Sequence, residues 1–176
     1  VTIDIEVAAE SGFPDVFNVA EELLLITVQD YNTKFITTFG SRPYKTNPNR
    51  KNYRYVDCHS EEGLITTFVD WWTRNTPEVI TGWNCEMYDI PYLMGRMERL
   101  MGEKYAKRMS PWGICRRNEI TIAGRANIVY DIAGISVIDY LDLYKKSPAT
   151  PNQESFRLDH IALMEPVSYT HLTLPT

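Results

Sequence analysis

Apolar and polar residues alternate along the first segment of the chain, from Val1 to Val7. This period of two is typical of a β-strand, and it places Asp4 and Glu6 together on one face. Two further apolar, β-branched stretches, 23–29 and 34–39, are separated by a short link of turn-forming residues. The pattern therefore predicts a sheet that begins with one strand and a hairpin.

Two later segments have apolar residues at the spacing of a helix. Ser60 is a favourable N-cap, and the apolar residues after it recur with the spacing of an amphipathic helix. Pro91, a residue favoured in the first helical turn, precedes another apolar stripe, so a second helix is predicted to begin close to Asp89. Between them, residues 79–81 are apolar and end at Gly82, which predicts a short buried strand.

The remaining patterns predict a loop, a hairpin and a mixed sheet. From residue 40 to residue 54, Pro, Asn, Lys and Arg replace the apolar period, which predicts a basic loop. Residues 119–122 and 126–130 alternate on either side of Gly124, which predicts a hairpin that projects from the body. Because strands occur before and between the helices, we expect an α/β domain with helices packed on a mixed sheet.

Composition narrows the class of protein. A chain of 176 residues suits one domain, and 44% hydrophobic with 23% charged residues excludes wholesale disorder. No long uncharged apolar run is present, which excludes a transmembrane helix. The three cysteines lack metal-site spacing and favour a reducing compartment. The first residues have neither an initiator Met nor a signal peptide, so we expect a piece cut from a longer protein.

The net charge of −5 changes the expectation about partners. A chain with this charge does not have the basic character of a protein that binds nucleic acid by charge alone. Nucleic acid remains possible as a substrate, because metal ions held by carboxylates can bind it.

Asp4, Glu6 and Asp89 are the candidate carboxylates. An Asp-x-Glu pair on a strand is often a solvated face, and an acid in the first turn of a helix commonly interacts with the helix dipole. The order of the two motifs along the chain is a more specific signal than either motif alone. The strand-borne pair comes first, and a later strand ends in Asn84, with Tyr88 and Asp89 at the head of a helix.

These motifs resemble the 3′→5′ proofreading exonuclease domain of family B DNA polymerases, most closely those of T-even-type bacteriophages. The resemblance implies a ribonuclease-H-like exonuclease fold, with a mixed β-sheet flanked by helices and a protruding β-hairpin. It covers nearly all of residues 1–165, which we expect to form the domain. The segments that carry it are Asp4-Ile5-Glu6, Gly12-Phe13-Pro14, Thr81-Gly82-Trp83-Asn84, Asp89-Ile90-Pro91-Tyr92 and Gly134-Ile135-Ser136-Val137-Ile138-Asp139-Tyr140.

The resemblance also implies a two-metal reaction. Asp4 would bridge two Mg²⁺ ions, Glu6 would bind one ion near the terminal sugar, and Asp89 would hold the second; Mn²⁺ could replace Mg²⁺. Such ions, about 4 Å apart, activate water and stabilise the leaving 3′ oxygen of a phosphodiester. Carboxylate oxygens are the ligands that these hard cations prefer.

The same resemblance assigns the substrate and the partners. Phe13 would stack near the terminal bases, and Asn84 and Tyr88 would contact the strand, although Phe13 could also make a loop contact and Asn84 could only form a turn. The substrate would be the single-stranded 3′ end of primer-template DNA. The other expected partners are the polymerase domain of the parent chain and a sliding clamp, in the cytoplasm of a phage-infected bacterium. The hairpin around Gly124 matches in position the hairpin that separates primer from template, or it is a solvated ribbon; its arginines are Arg116, Arg117 and Arg125.

The sequence departs from the family at its end. The third motif, Tyr-x-x-x-Asp on a late helix, is missing, and the one such spacing, Tyr53 to Asp57, precedes the second motif and is assigned no role. Asp139, Asp142 and Asp159 follow the second motif but lack the tyrosine, and they match positions that are not catalytic in the family. Residues 166–176 look like translated sequencing adapter and are expected to be a non-native tail. We therefore expect the fragment itself to be nearly inactive.

Two other functions remain open. The chain could be a free-standing DEDD-type exonuclease acting on RNA or DNA, or an exonuclease-like DNA-binding module that no longer catalyses. Divalent-ion binding distinguishes catalysis in the parent from the non-catalytic module.

Overall fold

The computed structural model describes residues 1–9, 12–46, 49–147 and 155–164. Its body is an α/β arrangement in which helices pack on a mixed sheet, and the remaining strands form a separate hairpin. The strands are β1 (Thr2–Val7), β2 (Leu23–Gln29), β3 (Ile36–Gly40), β4 (Tyr53–Asp57), β5 (Val79–Gly82), β6 (Cys115–Ile122), β7 (Arg125–Ile132) and β8 (Ser136–Asp139). The helices are α1 (Glu61–Arg74), α2 (Asp89–Met101), α3 (Glu103–Ala106), which a short 3₁₀ turn follows, α4 (Tyr140–Lys146) and α5 (Leu158–Met164).

The central sheet has six strands in the order β4-β3-β2-β1-β5-β8. β1 pairs antiparallel with β2 and parallel with β5, while β3 pairs parallel with β4 and β5 with β8. Because β1 and β5 run in the same direction and Thr81 pairs with Thr2, β5 ends beside the start of β1, and the chain that leaves β5 continues alongside the rest of that strand to contact Ile5. The predicted mixed sheet with flanking helices is confirmed.

Helix α1 begins as its sequence predicts. The Ser60 hydroxyl accepts a hydrogen bond from the amide of Gly63 at 3.1 Å, which satisfies one of the free N–H groups at the helix start. The apolar stripe of the helix is fully buried against the sheet, and the indole of Trp72 donates to the carbonyl of Met109 at 2.9 Å. This packing fixes α1 on one face of the sheet.

The predicted basic loop is correct only in part. It ends at residue 52, because Tyr53–Asp57 forms the edge strand β4 beside β3. The strand has only five residues and directly follows a stretch rich in Asn, Lys and Arg, so its alternation was too short to be distinguished from the loop. Pairing with β3 supplies the hydrogen bonds that the isolated sequence does not reveal.

The β6–β7 hairpin pairs with no strand of the central sheet among the described residues. Its turn at Ala123 and Gly124 has positive φ at both positions, and Gly adopts this conformation without strain. The distal half of the hairpin and most of β6 are exposed, whereas Ile128, Tyr130 and Ile132 of β7 are buried, and the hydroxyl of Tyr130 donates to Glu98 of α2 at 3.0 Å. The hairpin therefore projects as predicted, from a base that α2 holds.

The expected non-native tail at 166–176 lies outside the described residues. Within the described ranges, no helix has both the length and the apolar character needed to cross a membrane.

Candidate active site

Strand β1 separates its apolar residues from its acids. Ile3 and Ile5 are buried in the core, so Asp4 and Glu6 lie on the opposite face. Asp4 faces Thr27 of β2 in the sheet register and keeps access to solvent, whereas Glu6 is half-buried. The strand thus presents two carboxylates in the middle of the sheet and not at a solvated edge.

A tight turn delivers Asp89 to the same place. After β5 ends, the carbonyl of Asn84 accepts hydrogen bonds from the amides of Met87 and Tyr88, and α2 begins at Asp89. The buried Asp89 carboxylate then accepts a hydrogen bond from the backbone N–H of Ile5 at 3.0 Å. Because Ile5 lies between Asp4 and Glu6, this bond brings the second motif into contact with the first.

The acids perturb one another. Burial, and then the negative charge of Asp4, raises the pKa of Asp89 to about 7. Burial, and then the charge of Glu6, raises the pKa of Asp4 to about 6, because protein atoms around this carboxyl group remove part of its water even though the side chain reaches solvent. Burial also raises the pKa of Glu6. Within the described part of the chain, no Lys or Arg forms an ion pair with any of the three.

This donor set suits a divalent cation in its chemistry but does not form a complete coordination shell. Oxygen donors with excess negative charge are what Mg²⁺ and Mn²⁺ require, and a cation would relieve the repulsion that raises these pKa values. Among the residues that the structure describes, however, no group of three or more His, Cys, Asp or Glu side chains could hold a metal ion as arranged. The structure therefore places the acids as coupled neighbours rather than as a finished three-ligand site.

An exposed aromatic residue packs against Tyr88, the residue that precedes Asp89. The Phe13 side chain is 85% exposed, and its ring centroid lies 5.2 Å from that of Tyr88. Both rings line a cleft of about 780 Å³, together with Asn84 and, from the hairpin turn, Arg125. Burial raises the pKa of Tyr88 to about 12, so its hydroxyl stays protonated. The cleft thus offers an aromatic face, two cations and four carboxyl groups, whereas Asp4, Glu6 and Asp89 are not among the residues that line it.

Helix α2 also braces the loop that carries Phe13. Arg96 donates through one nitrogen to the carbonyls of Val19 and Ala20, at 3.0 and 2.9 Å, and forms a buried ion pair with Glu61 at 2.6 Å. Helix α2 therefore supplies Asp89 and also holds Val19 and Ala20, which end the loop that carries Phe13 to the cleft. Sequence reasoning missed Arg96, because an arginine on a helix carries no sign that its partners are buried carbonyls.

Asp139 was assigned no catalytic role, and the structure places it instead in a structural network at the cleft. Its buried carboxylate accepts hydrogen bonds from the amides of Asn84, Glu86 and Leu141. The exposed Asp142 pairs with Lys146. The only local signal was a possible helix N-cap at Asp139, which the bond to Leu141 fulfils.

The Tyr53 to Asp57 segment, which precedes the second motif, lies far from Asp4, Glu6 and Asp89. It occupies β4, three strands away from β1 in the sheet, and Asp57 accepts from the amide of His59 at 3.0 Å. Neighbouring strands are about 4.8 Å apart, so β4 lies roughly 14 Å from β1.

Comparison with known proteins gives a family match over most of the chain. The family model for the exonuclease domain of DNA polymerase family B matches residues 1–161. The chain is similar to the DNA-directed DNA polymerases of Escherichia phage RB69, at 40% identity over 111 residues, and of Enterobacteria phage T4, at 37% over 111 residues. Each match covers 63% of this chain and 12% of the relative. A DNA polymerase catalytic subunit of Elephantid herpesvirus 1 is 27% identical over 100 residues, which is 56% of this chain and 10% of the relative.

Proposed function

Because the chain belongs to the exonuclease domain of family B DNA polymerases, we propose that it is the proofreading 3′→5′ exonuclease part of a phage replicative DNA-directed DNA polymerase. The observation that carries the proposal is the hydrogen bond from Ile5 to Asp89, since it joins the two acidic motifs across 84 residues of sequence. Hydrolysis of a phosphodiester by metal ions needs carboxylates from separate segments at one place.

Asp4, Glu6 and Asp89 are the proposed ligands and catalytic residues, with Mg²⁺ as the resident cation and Mn²⁺ as a substitute. When bound, two such ions supply the activation of water and the stabilisation of the leaving 3′ oxygen. The chain itself holds Asp89 in place through the Ile5 amide. Since Asp4 and Asp89 have pKa values of about 6 and 7, cation binding near neutral pH should release protons from them.

The cleft is the proposed path of the DNA strand. The exposed ring of Phe13 can stack on a terminal base, supported by its contact with Tyr88, and Asn84 lies where it can contact the backbone. Arg125 approaches the same cleft from the hairpin turn and can neutralise a phosphate. These features favour the single-stranded 3′ end of primer-template DNA as substrate, with the hairpin separating primer from template.

The parent protein is proposed to work as a polymerase. Its partners would then be its own polymerase domain and a sliding clamp, in the cytoplasm of a phage-infected bacterium. The relatives that suggest this extend far beyond the matched region, which is 12% of the two phage enzymes.

The 176-residue chain should be nearly inert by itself. No Tyr-x-x-x-Asp spacing follows Asp89 in this sequence, so a fourth acid and a water-orienting tyrosine are missing, and active-site groups that act as a unit fail far more than additively. Asp139 is a poor replacement for the missing acid, because both of its oxygens already accept hydrogen bonds from backbone amides.

An end-labelled single-stranded oligonucleotide tests this proposal directly. With Mg²⁺, the 176-residue chain should leave the label intact, and a longer chain extended through the third motif should digest it from the 3′ end. Asp4→Ala in the longer chain should abolish digestion, whereas Glu62→Ala, which removes an exposed acid of α1 outside the cleft, should not.

Two results would contradict the proposal. Asp4-dependent digestion by the 176-residue chain would show that it is already a complete exonuclease. A longer chain that binds the oligonucleotide but never digests it would favour the non-catalytic module, and a preference for RNA would favour a free-standing exonuclease.

A further inference from the structure

Asp139 makes an unusual set of contacts for a residue without an assigned role. It ends β8 directly beside Gly82, the last residue of β5, and is 7% exposed. Its Oδ1 accepts hydrogen bonds from the amides of Asn84 at 3.0 Å and Leu141 at 2.9 Å. Its Oδ2 accepts from the amide of Glu86 at 3.0 Å. One carboxylate therefore joins α4 to two points in the turn that leaves β5.

That turn has a specific backbone conformation. Asn84 has a φ of 62°, in the left-handed region, which asparagine tolerates better than most non-glycine residues but which is less common than the right-handed region. Its carbonyl then closes the turn by accepting from the amides of Met87 and Tyr88. The Asp139 carboxylate accepts hydrogen bonds from the amides on both sides of Cys85, so it fixes the part of the turn where the left-handed residue lies.

We propose that Asp139 is a positioning residue, which holds the turn 84–88 in the conformation that presents Asn84 and Tyr88 to the cleft. The far end of this turn is fixed separately, by the bond between Asp89 and the amide of Ile5. The turn is thus anchored at both ends by buried carboxylates that accept backbone hydrogen bonds. The consequence for DNA rests on the proposed function, whereas the consequence for the turn does not.

Electrostatics and positioning predict opposite effects on DNA binding. Removing the negative charge of Asp139 beside the cleft should by itself strengthen binding of a polyanion. Loss of the three hydrogen bonds should weaken binding, because the turn would no longer present its side chains in one conformation. Asp139→Asn and Asp139→Ala remove the same charge, but only the asparagine keeps one acceptor oxygen.

The test combines amide NMR with DNA binding on the 176-residue chain. Hydrogen exchange and ¹⁵N relaxation report on the amides of Asn84, Glu86 and Tyr88, and fluorescence anisotropy reports on a short labelled oligothymidylate in Ca²⁺. Ser60→Ala, which removes the cap of the distant helix α1, is the control for a general loss of stability. Asp139→Asn remains informative if Asp139→Ala fails to fold.

We expect faster hydrogen exchange and larger motion at these amides in both Asp139 variants. The affinity for the oligothymidylate should fall by about tenfold or more in Asp139→Ala, and the affinity of Asp139→Asn should lie between those of Asp139→Ala and the unaltered chain. Ser60→Ala should change neither. Amides that stay protected and rigid in both variants would overturn the proposal, and so would equal or tighter DNA binding by both. If the unaltered chain does not bind the oligothymidylate, the proposed function fails, and the amide measurements still decide whether Asp139 positions the turn.

Discussion

Replacement of Asp89 by Asn should stabilise the protein at neutral pH when divalent cations are absent. The Asp89 carboxyl group is 4% exposed, and its pKa is raised from 3.8 to about 7. The folded state therefore binds this proton more tightly than the unfolded state does, so the contribution of Asp89 to stability is fully present below pH 3.8 and is lost as the pH rises through about 7. An uncharged asparagine side chain would avoid this loss and could still accept the hydrogen bond from Ile5.

The size of the effect follows from the pKa difference. Each pKa unit corresponds to about 1.36 kcal/mol, so a difference of roughly three units makes the ionised Asp89 cost about 4 kcal/mol above pH 7. The Asn variant should gain up to about this amount at about pH 8 and little at about pH 4. Native active sites commonly carry such a cost for the sake of function.

Urea unfolding followed by tryptophan fluorescence, in EDTA at about pH 4 and about pH 8, measures this difference. The added stability of Asp89→Asn should appear only at the higher pH. Saturating Mg²⁺ should then narrow the gap, because a cation that binds the folded wild type stabilises it by mass action. A variant that is less stable than the wild type at the higher pH, or a difference that does not change with pH, would refute this reasoning.

Three further changes test the surroundings of the site. Arg96→Met should lower the free energy of unfolding by about 3–5 kcal/mol, because it leaves the buried Glu61 carboxylate unpaired, and urea denaturation measures this loss. Phe13→Ala should leave the unfolding free energy within about 0.5 kcal/mol but weaken oligothymidylate binding by about 1–3 kcal/mol in a fluorescence titration. Phe17→Ala, the matched control outside the cleft, should not weaken binding. Gly124→Ala should destabilise the hairpin by roughly 1 kcal/mol, since φ is 77° there, and hydrogen exchange should rise only in β6 and β7.

Much of the fold was predictable because its elements carry local patterns. The alternation in Val1 to Val7 separates buried from exposed side chains, and Ser60 and Pro91 mark helix starts independently of the rest of the chain. Strand β4 was missed because its pairing with β3, and not its own five residues, makes it a strand. Local signals therefore sufficed wherever an element was long or capped.

The candidate site likewise combines residues that local sequence patterns predict with contacts that they do not. The positions of Asp4 and Glu6 on one face followed from the period of the strand, and Asp89 followed from the start of α2. The contacts of Asp139 and Arg96 could not be predicted, since their partners are backbone amides and carbonyls, which are identical at every position of a sequence. Only the folded chain shows which of these groups meet.

The central claim is that Asp4, Glu6 and Asp89 bind divalent cations together, and paramagnetic relaxation by Mn²⁺ tests it most directly. In ¹⁵N-labelled protein, small amounts of Mn²⁺ should broaden the amides of β1 and the start of α2 first and most strongly, and those of the more distant strand β4 much less, because the effect falls steeply with distance. Asp4→Asn combined with Asp89→Asn should abolish this selective broadening. Broadening that is spread over the exposed acids of the surface, or that persists unchanged in the double variant, would contradict the account.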